Sequence, residues 1–279
     1  MKTPLNFVFL ILIILIYSCV QKGKMNSNKS IDNFKTETKV NSSFDKNGDS
    51  IRQAKVMKEA FVIVKQNLSK DYFKFSFETT PDDSSQTITT EINIGHLFTK
   101  YEKHLLIRRK TPWGALLDLF LIRNDSLISL ISHEQGDMTY IADTIFDANG
   151  DGFKDFVVNW EPSSGCCRRD TYSVYLFLPQ KETFTSDYTF INPTFFQKEK
   201  IIRGVEYGHP GEVGLYKYKW NGLKVDTIEF IYPDENHKGF YIKTKKPSYR
   251  PTEKQGVLLK NIPKEYLGIE SFDWFINEE

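Results

Sequence analysis

Apolar and polar positions along the chain fall into three regimes. Residues 7–17 are an almost unbroken apolar run, as long as the core of an export signal and shorter than the roughly 20 residues that span a bilayer. From residue 20 to about 50, Asn, Ser, Lys, Thr and Asp dominate without usable period, the composition of a disordered spacer. From about Val56 the pattern changes to short apolar runs rich in β-branched and aromatic residues. The first covers residues 61–64. In the second, Tyr72, Phe73, Phe75 and Phe77 alternate with Lys74 and Ser76 in the period of two of a half-buried strand. Others follow at 88–94, 105–109, 116–122, 127–131, 156–160, 172–178 and 201–207. Tyr216, Tyr218 and Trp220 alternate with lysines, Asn221-Gly222 supplies a hairpin dipeptide, and 225–232 returns as the partner strand. Only residues 264–277 suggest a helical turn or two. This spacing predicts an all-β, antiparallel domain over residues 51–279, built as a small β-propeller-like or β-sandwich fold. Without helix–strand alternation, a parallel α/β sheet is disfavoured.

The start of the chain refines this picture. Lys2 precedes the apolar run, which ends in Ile16, Tyr17, Ser18 and Cys19. This ending resembles the lipobox of bacterial lipoproteins. The resemblance implies cleavage after residue 18 and lipidation of Cys19, with residues 19–50 as lipidated cysteine and tether. Several acyl chains, at about 0.8 kcal/mol per buried methylene, anchor stably. The expected location is the bacterial cell envelope, at the outer membrane or periplasmic face, with the membrane as a partner through the lipid anchor. An ordinary secretory signal that leaves Cys19 a plain thiol is the alternative. Loss of Lys2 with the signal takes Lys plus Arg from 37 to 36, equal to the 36 Asp plus Glu. Nucleic-acid binding therefore lacks its electrostatic footing.

The main chemical pattern is Asp147, Asn149, Asp151, Gly152 and Asp155. A hard cation needs six to eight oxygens, and acidic or amide side chains at every second position supply them while glycine permits the sharp turn. The expected ligands of one structural calcium ion are Asp147, Asn149, Asp151, the Phe153 carbonyl and Asp155. Position twelve is Val158 and not the bidentate Glu of an EF-hand, and both flanks read as strands. The pattern resembles the calcium loops of FG-GAP repeats in β-propellers. A solvated β-turn that binds nothing is the alternative. A fainter echo at Asp45, Asn47 and Asp49, with Gln53 in the closing position, reads as polar linker.

Cys166 and Cys167 follow Ser163, Ser164 and Gly165. An exported location favours oxidation, so the two are candidates for a disulfide with each other, making a rigid loop beside the calcium site; free buried thiols are the alternative. Adjacent α-carbons lie about 3.8 Å apart, below the usual disulfide separation. His96, His104, His133, His209 and His237 lack zinc-site spacing, and no serine sits in a nucleophile elbow. No carboxylate pair stands out, so the chain is expected not to be an enzyme. A cysteine nucleophile served by a distant histidine is the weaker alternative.

Together, residues 147–160, the Ser-Gly loop, the run 172–178 and the hairpin at 216–222 resemble bacterial periplasmic lipoproteins with a single FG-GAP-like calcium loop. Some of these are immunity proteins against lysozyme-like toxins, similar to periplasmic inhibitors that insert a Ser-Gly-x-Tyr loop into the enzyme's cleft. The resemblance spans about residues 135–235 and implies Ser164 and Gly165 as a partner-binding loop, with cysteine where the family has tyrosine. Three classes of function follow. The first is a non-catalytic inhibitor of a cell-wall hydrolase. The second is a surface-interaction lipoprotein holding other envelope proteins or glycans. The third is an enzyme with dispersed catalytic residues.

Overall fold

The computed structural model describes residues 46–277, apart from 81–85, 113, 137 and 168. The export signal, Cys19 and Asp45 lie outside the described residues. Within them the chain is all-β, made of antiparallel sheets.

The first element departs from the sequence reading. Residues 61–64 belong not to a strand but to helix α1 (Lys46–Lys65), which begins inside the stretch assigned to the tether. Val56, Ala60, Phe61 and Val64 are buried while Val62 is 58% exposed. Spacings of four, one and three residues make a helical stripe, and only its last turn shows as a contiguous apolar run. The echo at Asn47 and Asp49 lies in the first turns of this helix, not in a loop.

Five strands then pair in chain order: β1 (Phe73–Thr79), β2 (Ile88–Gly95), β3 (Lys103–Thr111), β4 (Gly114–Arg123) and β5 (Ser126–Gly136). Asn124 and Asp125, both at positive φ, make the two-residue turn between β4 and β5, the pattern of a type I′ turn. One face of this sheet meets α1 through Ile92, Ile94, Leu105, Ile107, Phe120 and Ile122. Its other face, with Leu106, Leu117, Leu119 and Ile131, packs on Phe156 and Val158 of the next sheet.

That second sheet comprises β6 (Met138–Phe146), β7 (Asp155–Pro162), β8 (Thr171–Tyr175) and β11 (Tyr188–Ile191), in the order β11-β8-β7-β6. The predicted run 172–178 is broken at Leu176, after which β9 (Phe177–Leu178) pairs with β10 (Thr183–Phe184). Both faces of β7 are buried: Phe156 and Val158 point one way, and Val157 points the other into a core with Val174, Phe190, Ile202, Tyr216, Trp220 and Phe230. Period-two alternation of apolar side chains on both faces makes such a strand read as a continuous run.

The third sheet runs β12 (Pro193–Phe196), β13 (Ile201–Val205), β14 (Leu215–Asn221), β15 (Lys224–Pro233), β16 (Tyr241–Thr244) and β17 (Val257–Leu259), again in chain order. The predicted hairpin is present, but its turn is Gly222-Leu223, because Asn221 still pairs with Lys224. Positive φ falls on the first turn residue alone, as in type II′ turns. The outer face of the sheet, with Val205, Leu215 and Ile231, is covered by Tyr266, Ile269 and Phe275 of the C-terminal segment. There the expected helical turns occur as a 3-10 turn (Lys264–Tyr266) and helix α2 (Phe272–Ile276).

Among the described residues no helix is long and apolar enough to cross a membrane.

Candidate functional site

The acidic loop joins β6 to β7. Both oxygens of Asp147 accept backbone amides, Oδ1 from Gly150 at 2.6 Å and Asp151 at 3.1 Å, and Oδ2 from Gly152 at 2.8 Å. Gly150 and Gly152 have φ of 74° and 92°, a region that side chains disfavour. A Cβ on Gly150 would stand 2.2 Å from the Gln197 carbonyl oxygen, so the loop sits directly on the β12–β13 turn. Asn149 Oδ1 accepts the Asp151 N–H at 3.0 Å, and Asn149 Nδ2 donates to Asp151 Oδ2 at 3.1 Å. Asp155 is fully buried, accepting Ala148 N–H at 2.8 Å and Phe177 N–H at 2.9 Å on its two oxygens. Burial raises its pKa to about 7, against the pull of those two amides, with repulsion from Asp151 and Asp147 adding to the rise.

The donor set suits a hard cation, being carboxylate, amide and carbonyl oxygens alone. The carboxylates of Asp147, Asp151 and Asp155 do not gather within 4.8 Å of one another, unlike two other groups among the described residues. Asp155 is turned into the core, so an ion at the mouth of the loop would draw first on Asp147, Asn149, exposed Asp151 and the Phe153 carbonyl. Its arrival would exchange the Asn149–Asp151 hydrogen bond for metal coordination.

The cysteine loop joins β7 to β8. The structure joins Cys166 and Cys167 as a disulfide with Cα atoms 3.8 Å apart. Ser164, Gly165 and Cys166 are exposed. This loop is not beside the acidic one, as the sequence reading had it. β7 is eight residues long, and at 3.3 Å per residue its two ends stand about 23 Å apart. The two loops occupy opposite ends of the strand, so an ion at one end would hold nothing at the other directly.

Sequence spacing singled out no histidine, and the fold gives the five different surroundings. His104 is buried, with burial followed by repulsion from His96 lowering its pKa to about 4. His133 is held between Tyr175 Oη at 2.7 Å and Gln135 Oε1 at 3.0 Å. His209 Nδ1 lies 3.8 Å from Cys167 Sγ, forming with both cysteines one of the two groups of close metal-ligating atoms. The other is Asp234, His237 and Glu253, in which His237 Nδ1 stands 2.7 Å from Asp234 Oδ2 and 3.9 Å from Glu253 Oε1.

A groove of about 740 Å³ that no linear pattern announced lies between β1–β3 and β6. A β-bulge builds part of it. Tyr140 pairs with Trp160 and Ala142 with Asn159, leaving Ile141 unpaired. The extra residue brings Tyr140 and Asp143 to one side, where Tyr140 donates to Asp143 Oδ1 at 2.5 Å. Arg108 grips the same carboxylate with two hydrogen bonds of 2.5 and 2.6 Å. Burial works against the Arg108 charge, but Asp143 outweighs it and the pKa is raised. Lys110 bonds Glu91 at 2.6 Å and lies over the Tyr140 ring. No family model, no curated protein and no solved structure matches this chain.

Proposed function

We propose that the chain is a lipid-anchored, calcium-binding protein of the bacterial cell envelope. It acts as a non-catalytic binding module, most concretely an inhibitor or immunity protein against a lysozyme-like cell-wall hydrolase. The observation that carries this reading is the acidic loop. Its Asp147 carboxylate gathers three consecutive amides around a tight turn, and its remaining donors are all oxygen. The ion's work is structural: it stiffens the β6–β7 end of the second sheet. The exposed Ser164-Gly165 loop at the far end of β7 is the surface offered to an enzyme's cleft. The test has two parts. Excess calcium should raise the melting temperature of the full chain, with chelator reversing the rise. The chain should also slow clearing of a peptidoglycan suspension by a lysozyme-type enzyme, and Gly165→Trp should relieve that inhibition. No thermal shift removes the ion from the reading; undiminished clearing removes the inhibitor.

A second reading, a lipoprotein that holds envelope glycans, is favoured by the groove. Charged hydrogen-bonding groups on Arg108, Lys110 and Glu91 beside the Tyr140 and Phe75 rings are the mixture that sugars meet in binding sites: ring faces for apolar patches and polar groups for hydroxyls. Titration of cell-wall oligosaccharides against the chain and against Phe75→Ala tests it.

A further inference from the structure

Cys166, Cys167 and His209 offer two sulfurs and an imidazole nitrogen, all within 4.8 Å of one another. They come from different parts of the chain, the β7–β8 loop and the β13–β14 loop, and the fold binds those loops together beneath them. Asn192 is buried and spans the gap: it accepts Asp170 N–H at 2.9 Å on Oδ1, donates its own N–H to Asp170 O at 2.7 Å, and donates from Nδ2 to Val205 O at 3.2 Å. Arg169 stacks over the Tyr207 ring as a second link. The His209 loop is braced from behind by Trp274, whose indole donates to Gly208 O at 2.9 Å and whose carbonyl accepts Gly211 N–H at 3.0 Å. Hydrogen bonds to Asp170, Val205, Gly208 and Gly211 thus keep the two loops that carry the donors next to each other.

We propose that, when Cys166 and Cys167 are reduced, they and His209 form a binding site for a thiolate-seeking d10 cation of the zinc type. Soft thiolates with imidazole select such ions over calcium or magnesium. The spacing suits them: zinc ligands at about 2.3 Å for sulfur and about 2.05 Å for nitrogen, at the tetrahedral angle, stand about 3.6 Å apart, and Cys167 Sγ and His209 Nδ1 stand 3.8 Å apart. Three protein ligands leave the fourth position to water or to a partner's donor group. The site is gated by redox state. A thiol reductant supplies two electrons and two protons to open the disulfide, two R–SH becoming R–S–S–R. Metal binding then releases two thiol protons as both sulfurs ligate as thiolates. The oxidised pair offers no thiolate and does not bind. The site lies at the opposite end of β7 from the calcium loop and stands or falls independently of it.

Cobalt(II) reports such a site through a thiolate-to-metal charge-transfer absorption. The full chain carrying Cys19→Ser, so that Cys166 and Cys167 are the two cysteines present, is titrated after reduction and again after oxidation. The expected result is a band that saturates at one equivalent in the reduced chain, is displaced by zinc, and is missing from the oxidised chain and from Cys167→Ser. His209→Ala should weaken binding at least tenfold, and His209→Cys should restore it with a stronger band. A reduced chain without the band, a band that survives Cys167→Ser, or equal affinity in His209→Ala overturns the proposal. Cys167→Ser, His209→Ala and His209→Cys fall on a surface loop pair, and an unchanged melting temperature without metal confirms that each variant is folded.

Discussion

Asp155 accepts the backbone N–H of Phe177 at 2.9 Å while its second oxygen accepts that of Ala148 at 2.8 Å. One buried carboxylate therefore joins the acidic loop to β9, across 22 residues of chain. Unpartnered buried amides cost about 1–3 kcal/mol each. Asp155→Asn keeps the shape but turns an amide NH2 toward one of the two donors. It should destabilise the fold by about 2–3 kcal/mol in urea unfolding, with or without calcium. Loss of stability seen only in the presence of calcium would show that Asp155 acts as a ligand and not as a structural clasp.

Asp151 is the complementary case. Its carboxylate is exposed and receives the Phe153 N–H at 2.9 Å, so its removal should cost less than about 1 kcal/mol without metal. Saturating calcium at a hundred times its dissociation constant stabilises by about 2.7 kcal/mol, or roughly 5–10 °C for a chain of this size. Asp151→Ala should abolish most of that rise in differential scanning fluorimetry. A rise that persists in full would mean the ion binds elsewhere.

What was legible in the sequence was whatever one strand or one turn encodes by itself. Short apolar runs, with period-two alternation at 72–77 and 216–220, located most of the strands, and the Asp-x-Asn-x-Asp-Gly spacing located a glycine-hinged loop between two of them. Helix α1 was missed because its stripe, Val56, Ala60, Phe61 and Val64, is interleaved with polar residues until its last turn, where four apolar residues in a row imitate a strand. Contacts between distant segments had no linear trace. His209 meets Cys167 over 42 positions, and Arg108 meets Asp143 over 35, the latter through a bulge that shifts side chains to the other face. Register within the hairpin slipped by one residue because strand pairing carries Asn221 into the ladder, leaving Gly222 to open the turn.

Helix α1 has an energetic signature in its last turns. Phe61 is 8% exposed and meets Phe120 edge-on at 5.8 Å between ring centroids. Truncation of a buried phenylalanine costs about 3–5 kcal/mol, so Phe61→Ala should lower stability by about 3 kcal/mol, whereas Val62→Ala, on the exposed side, should change it by less than about 0.5 kcal/mol. A strand would also separate Phe61 from Val62, but it would put Phe61 and Val64 on opposite faces, whereas the helix buries both. Val64→Ala should therefore also cost more than about 1 kcal/mol, and a neutral Val64→Ala beside a costly Phe61→Ala would contradict the helix.

Two glycines of the acidic loop separate steric fit from backbone conformation. Both have positive φ, but a Cβ on Gly152 meets nothing within 4 Å, whereas one on Gly150 would collide with the Gln197 carbonyl. The conformational penalty alone is about 1–2 kcal/mol. Gly152→Ala should cost about that much. Gly150→Ala should cost at least 1 kcal/mol more, because backbone must move, and it should loosen the β12–β13 turn, read as faster amide exchange at Lys200, whose N–H bonds Gln197 O at 3.1 Å.

The pH dependence of stability should carry the mark of His104. Its ring is buried against Phe98 at 5.0 Å between centroids, and its pKa falls from 6.5 to about 4 through burial and then through repulsion from His96. Between those values the unfolded chain binds a proton that the folded chain refuses, so unfolding becomes easier as pH falls. The stability associated with the neutral ring is complete above about pH 6.5 and is lost progressively down to about pH 4, by up to about 3 kcal/mol at 1.36 kcal/mol per unit. His104→Phe keeps an aromatic ring against Phe98 and removes the titration. Urea midpoints taken at pH 7.5, 6, 5 and 4 should therefore fall more steeply for the natural chain than for the variant. Parallel curves would mean that the buried imidazole takes up its proton inside the fold without penalty.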